Sequence, residues 1–185
     1  MLDYLREDRL FPLYVVYLGC GLRRGEALAL TLDCVDLERG VVRVEKTLQA
    51  IPGEGLVVGE PKSESSRRVV AMPDFVKSAL EDHLINRDVE SDFVFCTSNG
   101  TPFSPRNIVG HFKKALKATG LPRETRIHDL RHFFVSWLLS QGTPPKDVQG
   151  IAGHADFGTT MDIYGHLMPG ADKEAAKRMD TLFDR

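Results

Sequence analysis

The sequence predicts a mainly α-helical domain with a small antiparallel β-sheet, an α+β arrangement. Three observations lead there. Apolar residues recur at helical spacing over most of the chain, as from Leu2 to Leu18 and at Ile108, Phe112 and Leu116. A single stretch, between Val41 and Met72, is rich in β-branched residues and punctuated by glycine. The length of 185 residues, with 42% hydrophobic and 27% charged side chains, fits about one soluble domain with its own core.

The elements follow in order. Leu2 to Leu18 carries a helical pattern with Pro12 as a kink or break, and Gly19-Cys20-Gly21 stops it. Arg24 to Leu32 resumes a helix. Val41 to Leu48 reads as a strand and Arg67 to Met72 as another, with Leu56 to Gly59 a third after the Gly53 and Gly55 turn. Asp74 opens a helix reaching about Asn86, and Phe93 to Cys96 is a short extended piece. Ser104-Pro105 is an N-cap followed by proline at the first helical position, and Gly120 closes that helix. His128 to Gln141 is helical, closed by Gly142, with Leu130, Phe134, Trp137 and Leu138 on its apolar stripe. Pro144 to Ile151 and Thr159 to Leu167 are short helices, and an amphipathic tail helix is expected over residues 171–185.

Composition excludes several classes. The cysteines Cys20, Cys34 and Cys96 are widely spaced and odd in number, which matches neither a disulfide framework nor a CxxC metal pattern. The charged start MLDYLREDRL is unlike a signal peptide, and LFPLYVVYLGCGL is too short to cross a bilayer. A cytoplasmic protein with no membrane partner is expected. The formal net charge of −2 argues against nucleic acid, yet it hides a local excess. Between Ser104 and Arg131, seven cations (Arg106, Lys113, Lys114, Lys117, Arg123, Arg126, Arg131) face two acids, Glu124 and Asp129. Such a cluster suits a phosphate backbone, and equally a solvated helix face.

Three short stretches carry chemistry. In HDLRH, His128 and Arg131 are three apart at a helix start, where a guanidinium and an imidazole can grip one phosphate beside the helix dipole. The rival is zinc: His128 and His132 have the spacing of an HExxH helix, with His154 or His166 as a third ligand. Against it, Asp129 replaces the glutamate and Arg131 would set a cation near the metal. In GCGLRRGEALAL, Arg23 follows a glycine turn and Glu26 is placed to hold its guanidinium, or to act as a first-turn acid favourable to the dipole. In GHADFGTTMDIYGHL, Tyr164 lies between His154 and His166. A phenol titrating near 10 is a poor nucleophile at neutral pH unless other groups activate it.

Together, and in order, these stretches resemble the catalytic domain of the tyrosine recombinase (phage integrase) family. GLRRGE is similar to that family's first arginine motif, which implies Arg23 as catalytic and Glu26 as its support. PKSESSRRVVAMP resembles the hairpin bearing the family's lysine, which points to Lys62, with Lys46 on the preceding strand. HDLRH resembles the His-x-x-Arg box, implying His128 and Arg131, and GHADFGTTMDIYGH the closing motif, implying His154 and the nucleophile Tyr164. His132 and His166 are left as local structure. The resemblance implies a DNA breaking-rejoining fold and strand transfer through a 3′-phosphotyrosyl link, with no metal or other cofactor. It implies double-stranded DNA as partner, with Arg106, Lys113, Lys114, Lys117 and Arg126 as contacts. It also implies a monomer in solution that assembles as a tetrameric synapse on DNA, the tail bridging subunits. Residues 1–185 would be the catalytic domain alone, without the family's N-terminal DNA-clamping domain. A nicking-resealing enzyme of the topoisomerase type, or a DNA-binding fragment without independent activity, would share these features.

Overall fold

The computed structural model describes residues 1–61, 66–167 and 179 of the chain. Lys62 and, apart from Met179, the tail 171–185 lie outside the described residues, as do the side chains of His166 and Leu167.

Helix α1 (Leu2–Leu5) is separated from α2 (Phe11–Cys20), so the long first helix expected from the pattern is two. The break falls before Pro12, not at it. Asp8 Oδ1 accepts the Leu10 N–H at 2.8 Å, and Pro12 lies in the first turn of α2, where its missing donor costs nothing. Helix α2 continues through Gly19 and Cys20 and stops at Gly21, which adopts a left-handed φ of 60°. A Cβ there would also collide with the Phe134 ring. Because α2 is buried nearly all round, it serves as the central post of the core, packed by α1, α3 (Arg24–Leu28), α4 (Asp74–Ile85) and α6 (Ile127–Ser140).

Helix α3 ends at Leu28 rather than Leu32, since the chain turns out to pair with the segment after α4. The Leu32 N–H donates to Asp92, the Val94 N–H donates to Leu30, and Thr31 bridges Phe93. Those bonds compete with the helix and win.

The strands form two sheets rather than one. Strands β1 (Val35–Asp36), β2 (Val41–Val44) and β5 (Arg68–Ala71) make an antiparallel sheet in the order β1-β2-β5. Val42 faces Val70 across it, and both are buried. Strands β3 (Thr47–Ile51) and β4 (Gly55–Gly59) form a separate ribbon. The expected strand Val41–Leu48 is therefore split at Glu45-Lys46. The ribbon lies against α3 because Gly25 has no side chain: a Cβ there would sit 2.7 Å from the Leu48 carbonyl oxygen.

Helix α5 (Pro105–Ala118) starts at the expected N-cap and buries Ile108, Phe112 and Leu116 on one face. Helices α6, α7 (Pro145–Ala152) and α8 (Phe157–Leu167) pack on one another around Phe134, Val135, Leu139, Val148 and Ala152. The buried stripe of α6 is Ile127, Leu130, Arg131, Phe134, Val135 and Leu139. Trp137 is not part of it: Trp137 and Phe133 are each 56% exposed and stack on each other with ring centroids 6.1 Å apart.

Candidate active site

Arg23 is the N-cap of α3, held where the Gly21 stop of α2 meets the next helix. Glu26, three residues on, closes the cap: its Oε2 accepts the Arg23 backbone N–H at 2.7 Å and its Oε1 accepts Arg23 Nη1 at 2.7 Å. The carboxylate is only 3% exposed. Burial pushes its pKa up, but the hydrogen bonds and charge of Arg68, then those of Arg23, outweigh that and hold it below the ordinary glutamate range.

Arg131 enters from α6 and is 2% exposed, so a cation is sealed in the core beside a carboxylate. Its Nη1 donates to the Gly21 carbonyl at 2.6 Å and its Nη2 to the Ala152 carbonyl. Burial and the nearby charge of Arg23 pull its pKa down to about 9, against a smaller upward pull from Glu26; it remains a cation at neutral pH.

The end of α7 brings the pieces together. Three consecutive carbonyls there each accept from a different arginine: Ile151 from Arg68 Nε at 2.7 Å, Ala152 from Arg131, and Gly153 from Arg23 Nη2 at 2.6 Å. Helix C-terminal carbonyls carry the negative end of the dipole and lack intrahelical donors, which makes them natural acceptors for cations. Gly153 caps α7 in the left-handed conformation with φ of 66°, turning the chain so that His154 follows directly. His154 Nδ1 lies 2.9 Å from Thr160 Oγ1. Burial first, then the charges of Arg131, Arg23, His132 and Arg68, push its pKa down to about 4, so the ring is neutral at physiological pH.

Tyr164, half-buried on α8, packs with Ile163 and Ile151 against the Phe134 and Ala152 cluster. His128 is exposed at the first turn of α6, and its ring meets that of His132 edge to face at 4.6 Å. Partial burial, His132, Arg131 and Arg126 all lower its pKa, so it too favours the neutral form. Among the described residues no group of three His, Cys, Asp or Glu is arranged to hold a metal ion.

Arg23, Glu26, Arg131 and His154 thus converge, with Tyr164 on the helix just beyond. The basic segment is more divided. Arg106, Lys114 and Lys117 are exposed on α5, but Lys113 is spent on the Arg123 and Thr125 carbonyls and Arg126 on Asp129. Arg68 was not singled out by any motif. Its signal was strand parity, since it shares a face with buried Val70, while Arg67 points outward and pairs with Glu60.

In sequence and in fold the chain is similar to known recombinases and integrases. The chain is 28% identical to the tyrosine recombinase XerC-like protein of Caldanaerobacter subterraneus subsp. tengcongensis, over 98% of this chain and 51% of that protein. It is 31% identical to the ICEBs1 integrase of Bacillus subtilis, over 98% of this chain and 52% of that one. Among solved structures, the Tn1549 transposon integrase in complex with transposon right end DNA superposes with a TM-score of 0.87 at 28% identity, covering 97% of this chain and 62% of that one. The chain spans about half the length of the curated relatives it matches. Residues 6–170 match the phage integrase family, and the chain belongs to that family of tyrosine recombinases.

Proposed function

We propose that this chain is the catalytic domain of a site-specific DNA recombinase that cleaves and rejoins double-stranded DNA through a 3′-phosphotyrosyl intermediate. The observation that carries the reading is the convergence of Arg23 and Arg131, far apart in sequence, on adjacent carbonyls beside His154. Backbone carbonyls fix both guanidinium groups before any substrate arrives, Glu26 holds that of Arg23 as well, and the neutral His154 ring adds an uncharged donor. Preorganised donors of this kind stabilise charge that builds on a phosphorus centre. The exposed part of the cluster is Arg23, whose side chain is 35% accessible. Bound DNA would meet it first.

In the reaction, the Tyr164 oxygen attacks the scissile phosphorus and forms the O–P bond as the bond to the 5′-oxygen breaks. His128, neutral and exposed, accepts the phenol proton, and Lys62 protonates the departing 5′-oxygen. His154, with Nδ1 held by Thr160, offers Nε2–H to a non-bridging oxygen. Attack by a 5′-hydroxyl of a second strand reverses the step and joins new partners. Arg106, Lys114 and Lys117 on α5 supply backbone contacts, and assembly into a tetramer on DNA couples the sites. Such an enzyme would work in the cytoplasm; among the described residues no helix is long and apolar enough to cross a membrane.

The test is a nicked suicide substrate, which loses the attacking 5′-hydroxyl on cleavage and traps the adduct. A denaturing gel should show a covalent band for the native chain and none for Tyr164→Phe, with non-covalent binding kept. No band from either protein on any cognate site overturns the reading.

A further inference from the structure

We propose that Arg68 is a positioning residue of this site, tying the carboxylate that orients Arg23 to the turn that carries His154. The proposal rests on the reading of the chain as a DNA-cleaving enzyme. Arg68 stands on β5, within the stretch that pointed to Lys62 but not itself among the candidates, and its side chain is 6% exposed. It makes four hydrogen bonds. Nη1 and Nη2 meet Glu26 Oε1 and Oε2 at 3.1 and 2.9 Å, Nε meets the Ile151 carbonyl at 2.7 Å, and Nη1 also meets the Ser66 carbonyl at 3.0 Å.

The bidentate grip fixes the plane of the Glu26 carboxylate. Only with that plane fixed do Oε1 and Oε2 both face Arg23, one toward its guanidinium and one toward its backbone N–H. Nε pins the first of the three carbonyls that lead into His154. Arg68 therefore connects the sheet, the Arg23 cap and the α7 turn in one side chain. Lysine cannot replace it, because one ammonium on a flexible stem lacks the fork that spans Glu26 and Ile151 together.

The ionisable groups around Glu26 are Arg23 at the start of α3, Arg68 on β5 and Arg131 on α6; the Cys20 thiol at the end of α2 lies in the field of Arg68. Removing Arg68 takes away the largest influence that keeps Glu26 ionised in its buried place, so the carboxyl would then titrate at higher pH.

The experiment uses the full chain with Arg68→Lys and Arg68→Met. Single-turnover cleavage of nicked suicide DNA at saturating protein should fall roughly 100-fold in both, the penalty of a misplaced catalytic group, while DNA affinity changes little. The Met variant should gain an acid limb in its pH–rate profile, which a second change, Glu26→Gln, removes. In parallel, carbon-detected NMR of the Glu26 carboxyl should show it titrating higher in Arg68→Met than in the native chain. A native rate in Arg68→Lys, a loss confined to DNA affinity, or an unmoved Glu26 titration overturns the proposal. If the native chain itself forms no adduct, the functional reading fails, and the titration alone decides the role of Arg68.

Discussion

Glu26→Gln is the sharpest probe of how the site is built, since it keeps the shape and removes only the charge. The native carboxylate accepts from Arg23 Nη1, the Arg23 N–H, and both ends of the Arg68 fork. A glutamine offers one acceptor oxygen and turns an NH2 donor toward a guanidinium donor. The Arg68–Glu26 pair is buried on both sides, at 6% and 2% exposure, and breaking a buried pair costs about 3–5 kcal/mol. Counting bonds gives the same scale: losing two charge-assisted hydrogen bonds at about 1.5–3 kcal/mol each spans roughly 3–6 kcal/mol. For a domain of this size each kcal/mol moves Tm by about 2–4 °C, so a fall of roughly 6–20 °C is expected by calorimetry. The sign with pH follows from the lowered pKa of Glu26. Its stabilisation is present above the unfolded value, about 4.3, and is lost as pH falls through the lower folded value. The gap between native and Glu26→Gln should thus be full at neutral pH and close in acid. A variant that melts within about 2 °C of native at pH 7, against the scale just given, would show that the carboxylate is not the keystone of the cluster.

Arg131→Lys should lower single-turnover cleavage about 100- to 1000-fold, because a single nitrogen on a flexible stem replaces the rigid Nη1 and Nη2 fork that reaches the Gly21 and Ala152 carbonyls; near-native cleavage would contradict this. Gly25→Ala should destabilise by about 1–3 kcal/mol in urea titration, since its Cβ would lie 2.7 Å from the Leu48 carbonyl oxygen and 2.6 Å from Thr47 Oγ1. His154 is held at about 4, below its unfolded value, so its contribution is full above about 6.5 and is lost as pH falls toward 4. His154→Gln should flatten that part of the stability–pH curve, and an unchanged slope would show that another group titrates there.

The helical half was legible because its signals are local. Ser104-Pro105 marks the start of α5, Gly120 follows its end, and Ile108, Phe112 and Leu116 declare its buried face. The candidates Arg23 and Arg131 could be proposed for the same reason, from short motifs near helix starts. The sheets were not, because strand pairing is a long-range choice. Val41 to Leu48 is evenly β-prone, and nothing at Glu45-Lys46 says that β2 will pair with β5 while β3 turns to β4. The end of α3 depends on Asp92, Phe93 and Val94 in the same way. On α6 the apolar residues outnumber the places available, so periodicity alone chose Trp137, while packing on α2 and α8 chose Val135 and Leu139 and left Trp137 outside with Phe133. Arg68 fell between these cases, readable by parity on β5 yet hidden beside the exposed Arg67.

The most direct measurement is the identity of the residue that becomes attached to DNA. The trapped adduct from a suicide substrate can be digested with nuclease and protease and its peptides sequenced by mass spectrometry. The convergence of Arg23, Arg131 and His154 beside α8 predicts a nucleotide joined through its 3′-phosphate to Tyr164, in the peptide containing Met161-Asp162-Ile163-Tyr164. A nucleotide on Tyr4, Tyr14 or Tyr17, on a histidine, or joined through a 5′-phosphate would contradict it.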